Sequence, residues 1–471
     1  MLKRKSAILL SLLLALAGQA SMARTHDAPL VIEHVTILPM TRDGAPIHDA
    51  TLIIRDGRIH QIGTSASIRP PAGAIRIDGH GRWLMPGLAD MHVHVLNRGY
   101  GRQLPLGKVF PADYMRTADL MLPFIANGVT QILDMSASDY TLAQRDEIDR
   151  GDVLGPHVAA ASMVDGDPPA WPMDARVATT PEAGRQAVRE IAAAGFPFAK
   201  VYSGLALPVY AAIADEASRA GVRVVGHLPH TAREHAEEVL IPGMSMVAHA
   251  EEFGRLGEQP SDADIEHYAV LSRKHGIAVA TTLITNVMIA RQTHDASVVA
   301  KADGIRYLHP ELKNYWLHAN RYTHDVTPGK IAHRDGLVDF NQRLVSALAA
   351  ADVPLMTGTD SIIPGVVYGF SLHDELELLA KAGIPHRKVL ESATRVPAEF
   401  LGVADDRGTV EVGKLADLVL LDADPLADIR NTRAIAAVFS RGRYLTRAEL
   451  DGMMEALAER YERLAPAETH R

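Results

Sequence analysis

Two histidines one residue apart, His92 and His94, close an apolar run that begins at a Pro86-Gly87 turn. Side chains alternate faces along a strand, so both imidazoles point the same way and can offer two nitrogens to one metal ion. In a chain with 22 histidines such a pair also arises by chance, so its weight depends on what accompanies it. The cysteine count is zero, which removes thiolates as nucleophiles and as ligands. A metal site here must use histidine, carboxylate or something less common.

The elements that would position such ligands are apolar strand-like runs alternating with helical stretches. The runs are Met85 to His94, Gly128 to Asp134, His157 to Ser162, Phe196 to Ser203, Gly221 to Leu228, Ser245 to Glu251, Ile277 to Ile284 and Val353 to Asp360. Eight βα units in series predict a closed (β/α)8 TIM-type barrel. An open doubly wound sheet is the competitor, but no Gly-rich phosphate turn follows the first run. The first run ends in the His92/His94 pair, the fourth carries Lys200, the fifth His227, the sixth His249, and the eighth ends in Asp360. Each lies at or near a carboxyl end, where barrel enzymes keep their catalysts. Singly, each has an ordinary explanation: a hydrogen-bonded core histidine, a helix cap, a paired lysine. Their joint placement does not.

At this point the chain resembles the amidohydrolase superfamily. The likeness rests on Pro86 to His94, Asn127-Gly128-Val129-Thr130, Ala199-Lys200-Val201-Tyr202, Gly226-His227, Ala248-His249, Thr357-Gly358-Thr359-Asp360 and Lys414 to Val419. It is nearer to the imidazolonepropionase-like and prolidase-like members. The resemblance implies a barrel with a β-sandwich built from both chain ends. It also implies that His92, His94 and Asp360 hold one metal and His227 and His249 a second, with Lys200 bridging them as an N6-carboxylated lysine. An ammonium between two divalent cations would be repelled, whereas a carbamate supplies anionic oxygens. Zinc is the expected ion for a histidine-rich, oxygen-supplemented set, with manganese and cobalt as alternatives. The implied chemistry is attack of activated water on a carbonyl, with Asp360 taking its proton and passing it to the leaving group.

Tyr202, two residues after Lys200, is a candidate for binding the developing oxyanion or a substrate carboxylate; packing at the barrel rim is the alternative. His230, His318 and His373 are further candidates for substrate contact. His373 opens a helix and could instead satisfy its terminus. Where the prolidase-like subgroup carries a Gly-Gly-His-Gly-type segment after the third strand, this chain has Ser162 to Pro172, and imidazolonepropionase lacks the bridging lysine. The long segments Leu96 to Met115 and 285 to 351 are where substrate choice would be written, or else are extra packing.

Residues 1–23 read as a secretory signal peptide: Lys3, Arg4 and Lys5 precede an apolar run from Ala7 to Ala17, with cleavage after Ala20 or Ala23. Export would place the protein in the periplasm or outside the cell. Loss of those three cations takes the net charge from −9 to −12, which argues against nucleic acid or anionic lipid as partner. No later run is long enough to span a membrane, and a small-molecule substrate is expected. The expected organisation is a β-sandwich part at 24–83, the barrel at 84–405, a second β-sandwich part at 406–446, and an amphipathic helix and tail at 447–471. Thr446 to Glu449 forms a capping box ahead of a Leu450, Met453, Met454, Leu457, Tyr461 and Leu464 stripe read as packing; a homo-oligomer stays open. The leading expectation is hydrolysis of amide or peptide-like bonds in dipeptides or N-acyl amino acids. A lactone, ester or phosphotriester hydrolase would use the same site. A non-catalytic scaffold or a zinc-binding protein is the alternative from another class.

Overall fold

The computed structural model describes residues 28–95, 116–171, 175–232 and 235–464. The expected signal peptide, the segment Leu96 to Met115 and Pro172 lie outside them.

The chain begins with β1 (Leu30–Ile37), β2 (Ile47–Arg55), β3 (Arg58–Thr64), β4 (Ile75–Asp78) and β5 (Trp83–Pro86). These join the last three strands, β15 (Leu418–Leu421), β16 (Ile435–Ser440) and β17 (Arg443–Thr446), in one sheet of order β17-β16-β15-β5-β1-β2-β3, with β4 paired to β1. The period-2 pattern explains it: Leu30, Ile32, Leu52, Leu418, Leu420 and Phe439 share one buried cluster, while Val31 and Ile53 face a second. The contribution of both chain ends is thus observed as a single mixed sheet. β5 takes Leu84, Met85 and Pro86 into it, antiparallel to β15, so the first barrel strand starts only after the Gly87 turn.

The barrel strands are β6 (Leu88–Val93), β7 (Val129–Asp134), β8 (His157–Asp165), β10 (Phe198–Val201), β11 (Arg223–Gly226), β12 (Met244–Ala248), β13 (Ala278–Ala280) and β14 (Leu355–Met356), with a two-residue β9 (Arg176–Val177) beside β8. Neighbours pair in parallel from β6 round to β14. The circuit closes where Met91 N–H donates to Thr357 O at 2.8 Å and Val93 bridges Ser361. Nearly every strand residue is buried, as a parallel sheet covered by helices requires. Ala89, Met91, Leu133, Phe198, Met246 and Met356 belong to the cluster that fills the barrel, and the alternate residues pack outward against the helices. The capping box forms, Thr446 N–H and Oγ1 bonding Glu449 Oε2 at 2.8 Å. The helix Arg447–Leu464 buries Leu450, Met454, Leu457 and Tyr461 and packs on the helix Thr117–Ala126, so its stripe is core within the chain. Among the described residues no helix is long and apolar enough to cross a membrane.

Candidate metal centre and its cavity

Six of the residues expected to ligate stand at the carboxyl ends of five different strands. His92 is the penultimate residue of β6 and His94 follows that strand; Lys200 lies inside β10; His227 and His249 come directly after β11 and β12; Asp360 lies four residues beyond β14. The register of β6 shifts between Asp90 and Val93, which re-aims this end of the strand inward. His94 Nε2 is 2.9 Å and His92 Nε2 3.4 Å from Asp360 Oδ1. Each of the three offers one ligand atom, and these atoms lie within 4.8 Å of one another. The His92 ring is 4.4 Å from that of His249, which is 4.8 Å from that of His227. Lys200, 1% exposed, sits with its Nζ 5.5 Å from the centre of the Tyr202 ring.

The backbone is strained where these groups are displayed. His249 and Asp360 have φ of 73° and 53°, and Thr282, which bonds His249, has 46°. Left-handed backbone at a non-glycine residue costs about 1–3 kcal/mol and is characteristic of functional sites. Gly226, ahead of His227, has φ 123°, and a Cβ there would collide with the Val201 carbonyl. A Cβ on Gly358 would lie 2.9 Å from that of His92. These glycines let the backbone pass close beneath the ligand residues.

Oriented partners complete the set. Glu252, fully buried, takes the His227 Nδ1 contact at 3.0 Å and the Leu228 N–H at 2.9 Å. His249 Nδ1 pairs with Thr282 Oγ1, and His94 Nδ1 with Ser136 Oγ, each at 2.8 Å. Nε2 is then the nitrogen of His227, His249 and His94 left to face the centre. Asp90 accepts from Thr359 Oγ1 at 2.6 Å, from Thr359 N–H at 3.0 Å and from His92 N–H at 3.3 Å, tying the two halves of the His92/Asp360 pair together. Glu375 accepts from the N–H groups of Leu283 and Ile284 and so holds the turn that carries Thr282.

Burial, reinforced by the neighbouring charges of His249 and Lys200, holds His92 well below the usual histidine range; burial likewise takes His249 down to about 3. The rings are therefore neutral, the form that ligates. For Asp360 burial pushes up, but the His94 bond and the charges of His249 and Lys200 outweigh it and hold the carboxyl at about 2. Burial lowers Lys200 to about 8. Among the described residues, both ring nitrogens of the fully buried His92 lack any hydrogen-bond partner. An orphaned buried polar atom costs about 1–3 kcal/mol. An imidazole orphaned beside an ionised aspartate and three further imidazoles is what a divalent cation would satisfy, so these residues fit a metal.

The centre opens into a cavity of about 560 Å3 lined by Tyr202, Trp171, Arg255, Arg321 and Tyr322 among others. Trp171 Nε1 donates to Tyr202 Oη at 2.8 Å. His230 reaches the cavity and accepts from Arg255 at 2.9 Å. Two sequence candidates are corrected. His318, at the end of the helix Pro310–His318, is exposed and outside the lining; Tyr315, one turn earlier in the same helix, is inside it. His373 is buried away from the cavity, with Nδ1 on Thr432 Oγ1 at 2.9 Å and Nε2 on Asn127 O at 3.1 Å. It braces its helix against two neighbouring segments, neither contacting substrate nor capping. The 285–351 segment contributes Asn286, Tyr315, Arg321, Tyr322 and Arg334 among others to the lining, and further residues of it pack into the core. A second cleft, about 670 Å3, surrounds Val353 and Pro354 before β14; its charges pair among themselves, as in Arg395 with Glu391 and Arg42 with Glu399.

Sequence reasoning assigned no role to Glu252, Asp90 or Trp171, and reached Arg321 only as one residue of the 285–351 segment. For Glu252 a signal existed, an acid three residues after His249 at the start of a short helix. Glu252→Gln would turn an amide NH2 towards either the His227 or the Leu228 donor. We expect a fall of about 10- to 100-fold in metal affinity, read by competition with a chromophoric chelator.

The comparisons agree with this geometry. The model of the amidohydrolase family matches residues 83–445. The 5-methylthioadenosine/S-adenosylhomocysteine deaminase of Symbiobacterium thermophilum is 26% identical over 420 residues, 84% of this chain and 85% of that protein. Among solved structures, a Bifidobacterium longum protein assigned as a prolidase superposes with a TM-score of 0.66 at 25% identity, over 92% of this chain and 99% of the other. A Xaa-Pro dipeptidase with bound methionine in its active site gives 0.67 at 18% identity, over 89% and 100%.

Proposed function

From the premise that the chain belongs to the amidohydrolase family, a family of metal-dependent hydrolases of carbon–nitrogen bonds, we propose that it cleaves the amide bond of small molecules such as dipeptides or N-acyl amino acids. The observation that carries the reading is the convergence of His94, Lys200, His227, His249 and Asp360 on one cavity, with His92 directly against His249 and Asp360. His92, His94 and Asp360 would hold one ion, and His227 and His249 a second, with zinc the natural choice for this donor set. Divalent ions bound there supply Lewis acidity, bringing the pKa of water towards neutrality and polarising a carbonyl.

The chain's own groups do the rest. Asp360, held ionised, accepts the proton of the attacking water and returns it to the leaving nitrogen. Tyr202 accepts from Trp171, so its own hydroxyl hydrogen is free to donate to the carbonyl oxygen as charge develops there. Burial pushes its phenol up, which keeps that hydrogen in place. Lys200 would serve as the ligand shared by the two ions once carboxylated: only a neutral amine adds carbon dioxide, and with a pKa of about 8 roughly a tenth of it is neutral at pH 7. The amino-terminal segment, with its basic start and apolar run, would make this an exported enzyme; recovery from the cytosol with residues 1–23 intact would overturn that.

The test combines elemental analysis with mass spectrometry under conditions that retain carbon dioxide. About two metals per chain and one added carboxyl group on Lys200 are expected, with hydrolysis of dipeptides or N-acyl amino acids. One metal and a free Lys200 would move the assignment to a mononuclear site and towards deamination, the reaction for which the Symbiobacterium relative is named. Chelation gives an independent reading: at 1,000-fold excess of metal over Kd the loaded protein is more stable by about 4 kcal/mol. Thermal unfolding should therefore fall by several degrees on treatment with a chelator and recover on adding metal back.

A further inference from the structure

The chain carries a net charge of −9, yet the cavity lining holds three arginines, Arg255, Arg321 and Arg334. Two of them are engaged. Arg255 lies between Glu251 at 2.9 Å and Glu252 at 3.4 Å and also donates to His230. Arg334 bonds Thr293 Oγ1 and the Tyr322 carbonyl. Arg321 is different: among the described residues it has no carboxylate within ion-pair reach, and its one side-chain hydrogen bond runs to Tyr322 Oη at 2.9 Å. Its guanidinium carbon lies 4.9 Å from the ring centres of both Trp171 and Tyr322. Stacking of this kind fixes the planar fork while leaving most of its five N–H donors for a ligand.

We propose that Arg321, seated on Trp171 and Tyr322, is the receptor for a carboxylate on the substrate, and that the enzyme therefore selects N-acyl amino acids over neutral amides. A planar anion matches the guanidinium fork bidentately. The connection to the reaction is direct: the tryptophan beneath Arg321 is the one that hydrogen-bonds Tyr202, so the rings that seat the anion also set the hydroxyl aimed at the carbonyl. The lining as a whole sets Arg255, Arg321, Arg334 and Lys200 against the carboxylates of Glu251 and Asp360, a balance that favours an anionic substrate. Trp171 stands in the segment where this chain departs from the prolidase-like pattern, and Arg321 in the long 285–351 segment, so the receptor is assembled from two regions not shared with the barrel scaffold.

This inference rests on the amide-hydrolase reading, and the test separates the two. The metal-loaded enzyme is assayed on N-acetyl-L-phenylalanine and on N-acetyl-2-phenylethylamine, which differ only by the carboxylate. The ratio of their kcat/KM values should favour the acid, and in Arg321→Gln and Arg321→Lys that ratio should fall about 10- to 100-fold, chiefly through the KM of the acid. A merely structural role would depress both substrates alike and leave the ratio in place, which would overturn the receptor while the hydrolase stands. If wild-type enzyme hydrolyses neither compound, the N-acyl amino acid reading falls and binding decides: N-acetyl-L-phenylalanine should quench the fluorescence of Trp171, taken against a Trp171→Phe blank, and R321Q should abolish the quenching. Quenching that R321Q leaves unchanged, or no quenching at all, would overturn the receptor too.

Discussion

Asp360→Asn should lower kcat by about 10^3- to 10^4-fold while the protein stays folded and keeps metal when metal is in excess. General acid–base catalysis contributes about 10^2–10^4 on its own, and Asn removes both the proton acceptor and the charge that faces His94 and His92. The substitution is nearly isosteric, and the backbone bond from Asp360 N–H to His92 O at 2.7 Å does not depend on the carboxylate. His94 keeps its orientation through Ser136, so the imidazole ligands remain in place. Steady-state kinetics beside metal analysis of the same preparation checks this. Near-normal turnover with full occupancy would remove Asp360 from the proton path; lost turnover with lost metal would make it a ligand and nothing more.

The second large effect belongs to Lys200. On the proposed reading, Lys200→Ala should lose one metal per chain and reduce turnover at least about 10^3-fold, because it would take the shared ligand from between two imidazole sets while leaving His227 and His249 held by Glu252 and Thr282. A carbamate and an ammonium predict opposite rescues. If the lysine acts as a carbamate, millimolar formate or acetate should restore part of the activity, since a small carboxylate can enter the vacated space and supply two oxygens. If it acts as an ammonium, methylamine should restore activity and carboxylates should not. Rescue by amine alone would end the binuclear account, and the fold, which the apolar barrel layer sets, would be unaffected by that outcome.

Both predictions use residues that the sequence made visible, because each stands at the end of an apolar run where period and punctuation are strong. The alternation of buried strands with helical stretches was readable from Gly128 to Asp134 or Gly221 to Leu228, whose ends coincide closely with β7 and β11. It was less readable at Ile277 to Ile284: β13 stops at Ala280, and Leu283 and Ile284 open a helix. Short apolar runs fit a strand and a buried helix equally well, and here the left-handed Thr282, held in a turn by the distant Glu375, makes the change of direction. Met85 likewise looked continuous with His92, yet a sheet partner more than 300 residues away in sequence, β15, takes it.

The ligand types, their strand-end placement, the barrel and the pairing of the two chain ends were thus determined by the sequence itself, because each is written as local periodicity or as a residue type with few alternative roles. Tertiary structure alone decided what surrounds them. Glu252 behind His227, Asp90 between His92 and Thr359, and Trp171 beneath both Tyr202 and Arg321 are ordinary residues until the chain brings separate segments to one place. It equally removed His318 and His373, which chemistry alone admitted, by turning one to solvent and giving the other two partners of its own. Orientation and partnership are properties of three-dimensional contact between residues far apart in the chain, and no one-dimensional spacing encodes them.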